Sequence, residues 1–407
     1  MDSAEREGLR PKGNVPILRF PEFRGEWEKM RLDGFTERVM RKNRNNLSKL
    51  PLTISAQYGL VDQVTFFNKV IASTDMSNYY LLKKGEFAYN KSYSSDYPWG
   101  AIKRLDRYDQ GALSSLYICF ALQDSVVSDY ILQYFESSKW HKGVSEIAVE
   151  GVRNHGLLNV SVQDFFHTYH FVPKEKEEQI KIGKFLALLD ERIATQSKVI
   201  EDLKKLKCAI FEKHYRQAKL HKYKICDLGE PFSVGSLSKE DLSEEGHECI
   251  LYGELFTTYD CVINEVKSHT NKIANMTLSH KGDLLFPSST TVDAVSLISP
   301  SVINIPNVIL GGDMFGIHID KKFNAYYLSY YINIIARKKL AIYAKGSTII
   351  HLHYNDIAKA QLLLPDLCEQ DRIAKCMMVE DDKIKVEEQL LTTLEKQKQY
   401  LLHQMFI

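Results

Sequence analysis

The stretch EQIKIGKFLALLDERIATQSKVIEDLKKLKCAIFEKHY, residues 178–215, determines how the rest of this chain is organised. It contains no proline, its only glycine is Gly183, and it is rich in helix-favouring residues, so it predicts one long helix. Apolar side chains recur at alternating steps of four and three, the spacing of a coiled-coil seam. They are Ile182, Leu186, Leu189, Ile193, Ile200 and Leu203, with Gln196 in one slot. At about 1.5 Å per residue the helix is a rod of roughly 55 Å, too long for one small domain.

A related stretch, EQDRIAKCMMVEDDKIKVEEQLLTTLEKQKQYLLHQMFI, ends the chain at residues 369–407. With a shift of 191 positions, Glu178-Gln179 aligns with Glu369-Gln370 and Asp190 with Asp381. Each copy follows a strand-like run that ends in a proline, Pro173 or Pro365. A repeat of this length predicts a duplication, with two globular units alternating with two long helices. Glu380 and Glu387 fall on the second seam, where a carboxylate is unfavourable unless the seam is partly open or covered by another protein.

The two globular segments repeat the same order of short patterns. LSHKGDLLFPSS (278–289) corresponds to LLKKGEFAYNKS (81–92), and NAYYLSYYIN (324–333) to SDYILQYFES (128–137). The loops between these patterns share little, which favours one task performed on two different targets. If the helix seams pack together, the chain direction makes them antiparallel. The predicted fold is therefore α+β, with two α/β units separated by two antiparallel coiled-coil helices and related by a pseudo-two-fold axis.

Composition narrows the class of protein. A net charge of +1 excludes binding of nucleic acid through a general positive field, although individually placed Lys and Arg can still contact phosphates. No apolar run is long enough for a membrane span, and the N-terminus lacks the apolar core of a signal peptide. Seven cysteines form no CxxC pair, which predicts reduced thiols and a cytoplasmic protein without a metal site. His351 and His353 are a possible metal pair that lacks nearby Cys or carboxylate partners.

Several catalytic motifs are missing from the sequence. It has no phosphate-binding GxxxxGK[ST] loop, no GxSxG, no HExxH, and no Asn-Pro-Pro-aromatic or Asp-Pro-Pro-aromatic tetrapeptide of amino-methylating DNA enzymes. PDLCEQD (365–371) is similar to part of a nuclease motif, but no lysine lies two residues beyond either acid. We therefore expect no catalytic residue in this chain.

The sequence resembles the specificity subunit of type I restriction-modification enzymes over nearly its whole length from residue 15. The resemblance rests on PILRFPEFRGEWE (16–28), TISAQYGLVDQ…FFNK (53–69), KKGEFAYNKSYSSDYPWGAIKRL (83–105), EGVRNHGLLNVSVQDFF (150–166) and the two Pro…Glu-Gln helices. The second unit matches only the more general pattern, KGDLLF and AKGST…ND…LLLP. This resemblance implies a flexible arm at 1–14, target recognition domains at 15–172 and 217–364, and spacer helices at 173–216 and 365–407.

The resemblance also implies a function. Such subunits are not enzymes: each target recognition domain reads one half of a bipartite, asymmetric site in double-stranded DNA, and the helices set the spacer. Two modification subunits dock on the domains and helices and supply S-adenosylmethionine-dependent adenine methylation. Restriction subunits add translocation and cleavage driven by ATP with Mg²⁺. We expect no cofactor in this chain itself, and no membrane partner.

Candidate DNA-binding residues are polar or basic side chains in loops, because short donors and acceptors read base edges while Lys and Arg contact phosphates. In the first unit they are Gln57, Tyr58, Lys91, Tyr93, Lys103, Arg104, Arg153, Asn154 and His155. In the second unit they are Tyr252, Ser288, Ser289, Thr290, Thr291, Lys345, Ser347 and Thr348. Two other hypotheses stay open at this point: a stand-alone DNA-acting enzyme with an unrecognised catalytic motif, and a structural coiled-coil adaptor.

Overall fold

The computed structural model describes residues 13–69, 71–148 and 156–407. The chain divides into two compact units: unit 1 comprises residues 1–197 and 389–407, and unit 2 comprises residues 198–388. Each of two long helices contributes one part to each unit. Among the described residues, no helix combines the length and apolar character that crossing a membrane requires.

In its described residues, unit 1 contains ten short strands and several helices. The strands are β1 (Glu28–Arg31), β2 (Thr36–Arg38), β3 (Pro51–Ser55), β4 (Gly59–Asp62), β5 (Tyr80–Lys83), β6 (Phe87–Asn90), β7 (Ala101–Arg104), β8 (Gln110–Leu113), β9 (Ile118–Leu122) and β10 (Tyr169–Val172). The helices are α1 (Gln63–Phe67), α2 (Ser128–Glu136), α3 (His141–Ile147), α4 (Val162–Phe166) and the first part of α5 (Lys176–Gln217), with 3-10 turns at Leu32–Gly34 and Arg44–Asn46. One sheet has the order β2-β9-β6-β7, a second has the order β4-β3-β8-β5, and β1 pairs with β10.

Unit 2 has larger sheets. Its strands are β11 (His221–Lys224), β12 (Gly229–Ser233), β13 (Leu242–Ser243), β14 (His247–Leu251), β15 (Val262–Ile263), β16 (Ser268–Thr270), β17 (Thr277–Leu278), β18 (Leu284–Pro287), β19 (Ser289–Thr290), β20 (Ser301–Ile303), β21 (Ile309–Gly311), β22 (Met314–Ile319), β23 (Ile350–His351) and β24 (Gln361–Leu364). The helices are α6 (Glu254–Thr257), α7 (Ala294–Leu297), α8 (Ala325–Tyr331), which continues as a π-helix (Ile332–Ala336), α9 (Arg337–Ala341), α10 (Tyr354–Ile357) and α11 (Leu367–Met405). Two 3-10 turns lie at Ile225–Asp227 and Lys239–Asp241.

The strand order of unit 1 recurs within unit 2. Its sheets run β12-β22-β18-β20-β15 and β13-β16-β14-β21-β17, so each contains a four-strand order equivalent to one in unit 1 plus one added edge strand. The single parallel pair in the second sheet of unit 1, β3 with β8, has its counterpart in β14 with β21. The pair β1–β10 likewise has its counterpart in the antiparallel pair β11–β24.

Aromatic packing fixes the core of each unit. In unit 1, Phe87 of β6 and Phe120 of β9 face each other in register, and their rings stack with centroids 5.4 Å apart. In unit 2, Phe286 of β18 and Phe315 of β22 stack at 5.0 Å. All four side chains are buried, as are most side chains of the helices α2 and α8. Burial of such large apolar side chains is the main contribution to the stability of each core.

The long helices follow the predicted seam. Ile182, Leu186 and Ile200 of α5 are buried, and Leu189, Ile193 and Leu203 are half-buried. The long helix predicted at 178–215 is confirmed and extends two residues further at each end, as α5 (Lys176–Gln217). In α11, Glu380 and Glu387 are both half-buried.

Ion pairs join the long helices inside each unit. Within unit 1, Lys398 of α11 pairs with Asp190 of α5, and the other oxygen of Asp190 accepts a hydrogen bond from Gln133 Nε2 (2.7 Å). Within unit 2, Lys207 of α5 pairs with Asp381 of α11. The other oxygen of Asp381 accepts a hydrogen bond from the Tyr330 hydroxyl. Each carboxylate therefore ties both long helices to the short helix of its own unit.

A buried glutamine anchors the start of each long helix. Gln179 Oε1 accepts from the backbone N–H of Val127, which caps α2 (2.8 Å), and its Nε2 donates to the carbonyl oxygen of Pro173 (2.9 Å). In unit 2, Gln370 makes the same two hydrogen bonds, with the N–H of Asn324 (3.0 Å) and the carbonyl of Pro365 (2.8 Å). These bonds satisfy backbone groups at a helix start and at a strand end that would otherwise be buried without partners.

The stability of unit 1 is expected to depend on pH through His170. Its buried ring lies between the Tyr134 hydroxyl (2.9 Å) and Thr168 Oγ1 (2.8 Å), and burial lowers its pKa from 6.5 to about 3. Between those two pKa values the imidazole is protonated in the unfolded chain and neutral in the folded unit. The free energy of unfolding therefore decreases as the pH falls below 6.5. We expect a loss of about 2 kcal/mol between pH 6.5 and 5 from this residue.

This loss is measurable by urea unfolding followed by tryptophan fluorescence, because all three tryptophans, Trp27, Trp99 and Trp140, lie in unit 1. His170→Gln removes the titrating group and keeps polar atoms near both hydroxyls, so its unfolding should depend less on pH. His167→Gln, at a partly exposed ring, is the matched control and should behave as the unsubstituted chain. Equal pH dependence in all three would contradict the assignment.

Candidate nucleic-acid interface

The turn between β3 and β4 presents two of the predicted residues to solvent. Gln57 and Tyr58 are both exposed, and the Tyr58 N–H is fixed by a hydrogen bond to Ser55 Oγ (3.1 Å). Gly59 follows with a φ of +80°, a left-handed conformation that favours glycine. The tight β3–β4 pairing thus holds a donor–acceptor side chain and an aromatic ring at the tip of a hairpin.

A cleft in unit 1 brings together four predicted residues: Gln57, Tyr58, Lys103 and Arg104. Its other lining residues come from the turn, from the loop after β7, from α2 and from the long helices, and none of them was predicted from the sequence. They are Gly59, Asp106, Leu132, Gln133, Glu136, Asp190 and Lys398. The cleft therefore joins the exposed turn to the ion pair between the long helices.

Two basic residues of the cleft already have carboxylate partners. Lys103 is buried, and its Nζ lies 2.6 Å from Glu136 Oε1. Arg104 donates to Asp106 Oδ1 (2.7 Å) and to Asp129 Oδ1 (2.8 Å). A phosphate would have to compete with these carboxylates for Lys103 and Arg104, whereas Gln57 and Tyr58 are exposed and would need no such rearrangement to contact a ligand.

Lys91 and Tyr93 lie in a second group, away from those lining residues. The Tyr93 N–H donates to the carbonyl of Gly156 (3.1 Å), and Lys91 Nζ donates to the carbonyl of Val160 (3.4 Å). Tyr93 is exposed and Lys91 is half-buried. The predicted residues Arg153, Asn154 and His155 lie outside the described residues. The chain that follows them directly, from Gly156, is the segment that Tyr93 contacts.

Sequence reasoning missed an exposed aromatic group beside Gln57. Phe66 and Phe67 of α1 are 42% and 46% exposed, and their ring centroids are 5.0 Å apart. Phe66 also contacts the Tyr58 ring at 6.2 Å. Two adjacent phenylalanines in QVTFF were a usable indication, since an amphipathic helix turns only one of two neighbours inward.

In unit 2 the structure brings two predicted segments together. β19 pairs with β23, so Ser289 lies opposite His351 and Thr290 opposite Ile350. Just before β23, the bridge between Lys345 and His351 closes the loop that carries Ser347 and Thr348. Thr291, Lys345, Ser347 and Thr348 are exposed, whereas Thr290 is half-buried.

Ser288 and Ser289 are buried at the base of this ribbon. The Ser288 N–H donates to the carbonyl of Asp313 (2.7 Å), and Ser289 Oγ donates to Asp313 Oδ2 (2.8 Å). Tyr252 is half-buried and packs beside the neighbouring Gly312, where an added β-carbon would lie 3.1 Å from its ring. The turn at 312–313 therefore connects Tyr252 to the serine pair.

The loop from Lys345 to Thr348 requires its glycine. Gly346 has a φ of +118°, and a β-carbon there would lie 2.1 Å from the carbonyl oxygen of Ile349. Lys345 pairs with Asp356, and the hydrogen bond from Lys345 holds the pKa of Asp356 below its usual value. The loop is thus held at both ends, with the side chains of Ser347 and Thr348 facing solvent.

Comparisons with known proteins agree with this architecture. Residues 218–396 match the model of the type I restriction modification DNA specificity domain. The fold is similar to the crystal structure of a type I restriction-modification S subunit from M. genitalium, with a TM-score of 0.54 and 14% identity over 97% of this chain and 99% of that one. The fold is also similar to a structure that concerns complex assembly and conformational transition of the type I restriction-modification system. There the TM-score is 0.55 and the sequence identity 13%, over 92% of this chain and 96% of that one. No curated protein sequence matches.

These findings confirm the resemblance inferred from the sequence and the mixed α/β fold with a long helix. At such identities the two solved structures establish the fold alone. The domain boundaries and the DNA-binding residues stay predictions.

Proposed function

Since residues 218–396 match a type I restriction modification DNA specificity domain, we propose that this chain is the non-catalytic DNA-recognition subunit of a type I restriction-modification complex. Each unit reads one half of a bipartite, asymmetric site in double-stranded DNA. Catalysis belongs to partner subunits.

One observation carries this proposal: the two units have equivalent strand orders and different loops. Equivalent strand orders and equivalent glutamine anchors support a duplicated scaffold. On that scaffold unit 1 exposes Gln57 and Tyr58 at a hairpin tip, whereas unit 2 exposes Ser347 and Thr348 in a glycine-containing loop. Different side chains in equivalent frames are what reading two different base sequences requires.

We further propose that the long helices form an antiparallel coiled coil that sets the spacer between the half-sites. The ion pairs Asp190–Lys398 and Asp381–Lys207 support this arrangement. Their four residues are related in pairs by the same shift of 191 positions, as a pseudo-two-fold axis demands. Successive major-groove faces lie about 34–36 Å apart, a distance that a rod of roughly 55 Å can span.

The complex would contain two modification subunits and restriction subunits, and it would act in the cytoplasm. S-adenosylmethionine, ATP and Mg²⁺ would bind to those partners. Exposed apolar side chains on the long helices, including Leu188 (65%), Val379 (66%) and Val386 (61%), offer contact surface for the modification subunits.

Mapping of methylated adenines in cells that carry this chain with its modification subunits tests the function. We expect one bipartite motif with an unread spacer, and no such methylation when this chain is omitted. The purified chain with DNA, Mg²⁺ and S-adenosylmethionine should yield no product. A product from the chain alone would support a stand-alone enzyme instead, and an unchanged methylation pattern on omission would contradict the proposal.

A substitution in the turn tests the role of Gln57. Gln57→Ala should cost about 1–3 kcal/mol of binding at one base pair and relax the methylated motif at that position, because a bidentate amide contact to a base edge is lost. The measurement compares the affinities of the variant and of the unsubstituted chain for a set of oligonucleotides. In this set each position of one half-site carries each of the bases in turn. Asn154→Ala is expected to act in the same way at another position.

Lys91→Ala is the contrasting variant. Loss of a phosphate contact should weaken binding equally for all DNA sequences. It should also reduce the slope of log binding constant against log salt concentration by about one. If Gln57→Ala left both the methylated motif and the affinity unchanged, the assignment of the unit 1 turn would be wrong.

A further inference from the structure

Two histidines and one aspartate of unit 2 converge at the start of β18. His280 and Asp283 precede this strand, and His318 lies on the neighbouring strand β22. The two Nδ1 atoms are 3.4 Å apart, and His318 Nδ1 is 2.6 Å from Asp283 Oδ1. One potential ligand atom of each residue lies within 4.8 Å of the other two. The cluster lies outside the proposed DNA-contacting loops.

The local fold holds this group together. Antiparallel pairing of Leu284 with Ile317 places the preceding Asp283 beside His318. The other oxygen of Asp283 accepts the backbone N–H of His280 (2.7 Å), which closes the turn and brings the His280 side chain back over the strand. The Phe232 ring stacks on His318 with centroids 4.3 Å apart and restricts the imidazole orientation.

Unit 1 treats the equivalent carboxylate differently. Glu86 accepts the N–H of Lys83 (2.8 Å) and pairs with Arg41, whose Nη2 lies 2.8 Å from Glu86 Oε1. A guanidinium is a permanent cation that cannot bind a metal. In unit 2 the carboxylate, 2% exposed, is faced instead by two imidazoles, which are metal ligands when neutral. The same structural position thus offers a donor set of two nitrogens and one oxygen.

We propose that His280 Nδ1, His318 Nδ1 and the Asp283 carboxylate bind one late first-row divalent cation, of which Zn²⁺ fits the donor set well. With bonds of about 2.0–2.1 Å, a tetrahedral zinc ion separates two nitrogens by roughly 3.3 Å, close to the separation of the Nδ1 atoms. A rotation of the carboxylate opens the short Asp283–His318 contact. His280 is exposed and His318 is partly exposed, so water can enter and fill the fourth position.

The site would stabilise the fold of unit 2 and contact no base. It lies at the opposite end of β18 from Ser288 and Ser289, roughly 16 Å away at the usual rise per residue of a strand. A cation there would join the strands β18 and β22 and neutralise a buried carboxylate. Its binding should therefore raise the unfolding temperature of the folded chain by linkage.

Cobalt(II) absorption in the full-length, tag-free chain, pretreated with a chelator, tests the site. We expect saturable d–d bands from a nitrogen–oxygen site, displaced by Zn²⁺. The substitutions His280→Ala, His318→Ala and Asp283→Asn should each weaken Co²⁺ and Zn²⁺ binding at least about tenfold. His280→Ala is the main variant because the side chain is exposed, and circular dichroism verifies its fold.

His351→Ala is the matched control. Its ring stacks parallel to that of His353 with centroids 6.2 Å apart, and it is another exposed histidine of the same unit. This variant should retain the Co²⁺ bands and the Zn²⁺-dependent rise in unfolding temperature, whereas His280→Ala should lose both. Absence of saturable binding in the unsubstituted chain would overturn the proposal. So would binding that persists in His280→Ala or shows the intense charge-transfer band of thiolate ligands, since Cys226 and Cys368 are exposed.

Discussion

Replacing Arg19 by alanine is expected to lower the free energy of unfolding of unit 1 by about 3–5 kcal/mol, because it leaves a buried carboxylate without its counter-ion. Arg19 Nε and Nη2 each donate to Glu178 at 2.7 Å, and Trp27 Nε1 donates to the same carboxylate at 3.2 Å. The Glu178 side chain is only 1% exposed. The hydrogen bond with Glu178 raises the pKa of Arg19, so the guanidinium stays charged in the folded unit.

Urea unfolding measures this effect, followed by tryptophan fluorescence for unit 1 and by circular dichroism for the control, which lies in unit 2 and therefore away from the three tryptophans. Glu369 aligns with Glu178 in the repeat, but its partner Arg372 is 51% exposed. Arg372→Ala should therefore cost about 0–1 kcal/mol, as exposed ion pairs do. Arg19→Lys keeps the charge but loses the bidentate geometry, so its cost in free energy of unfolding should lie between those of Arg19→Ala and Arg372→Ala. A cost below about 1 kcal/mol for Arg19→Ala would mean that Glu178 is not ionised or not buried in the folded chain.

Inserting seven residues into each long helix is expected to lengthen the spacer of the methylated motif by about three base pairs and to leave both half-sites unchanged. Seven residues add about 10.5 Å and preserve the heptad period of the seam, and the duplex rises about 3.4 Å per base pair. The insertions belong between residues 197 and 198 and between 388 and 389. There the two units divide, so the contacts within each unit are kept.

Methylated adenines in cells carrying the modification subunits provide the measurement. Seven residues inserted at the exposed stretch 244–246 are the control and should leave the spacer unaltered. An insertion in α5 alone shifts its seam against α11 and should abolish methylation. If the double insertion methylated the original motif, the partner subunits and not the helices would set the distance.

Local sequence patterns predicted those parts of the fold that depend on neighbours in the chain. The four–three spacing of apolar residues predicted the long helix α5. The hydrogen bond between Trp27, which is 2% exposed, and Glu178 did not follow from such patterns, since the two residues are far apart in sequence and meet only when α5 packs in unit 1.

The candidate site was less predictable because exposure and pairing are properties of the folded chain. Lys103 and Arg104 are basic in the sequence, but only the packing of α2 beside β7 reveals their partners Glu136 and Asp129. Ser288 and Ser289 have the short polar side chains of base readers, yet both are buried against Asp313.

The histidine–aspartate cluster shows the same limit. No metal site was predicted from the sequence, because the ligand patterns that indicate one join residues that are close in sequence. His318 follows Asp283 by 35 positions and reaches it through strand pairing.

The glutamine anchors bear on where this molecule can bend. Bending at the start of α5 would break both hydrogen bonds of Gln179, and bending at the start of α11 would break both hydrogen bonds of Gln370. Both amides are buried, so water cannot replace the lost partners. Neither junction is therefore suited to act as a hinge.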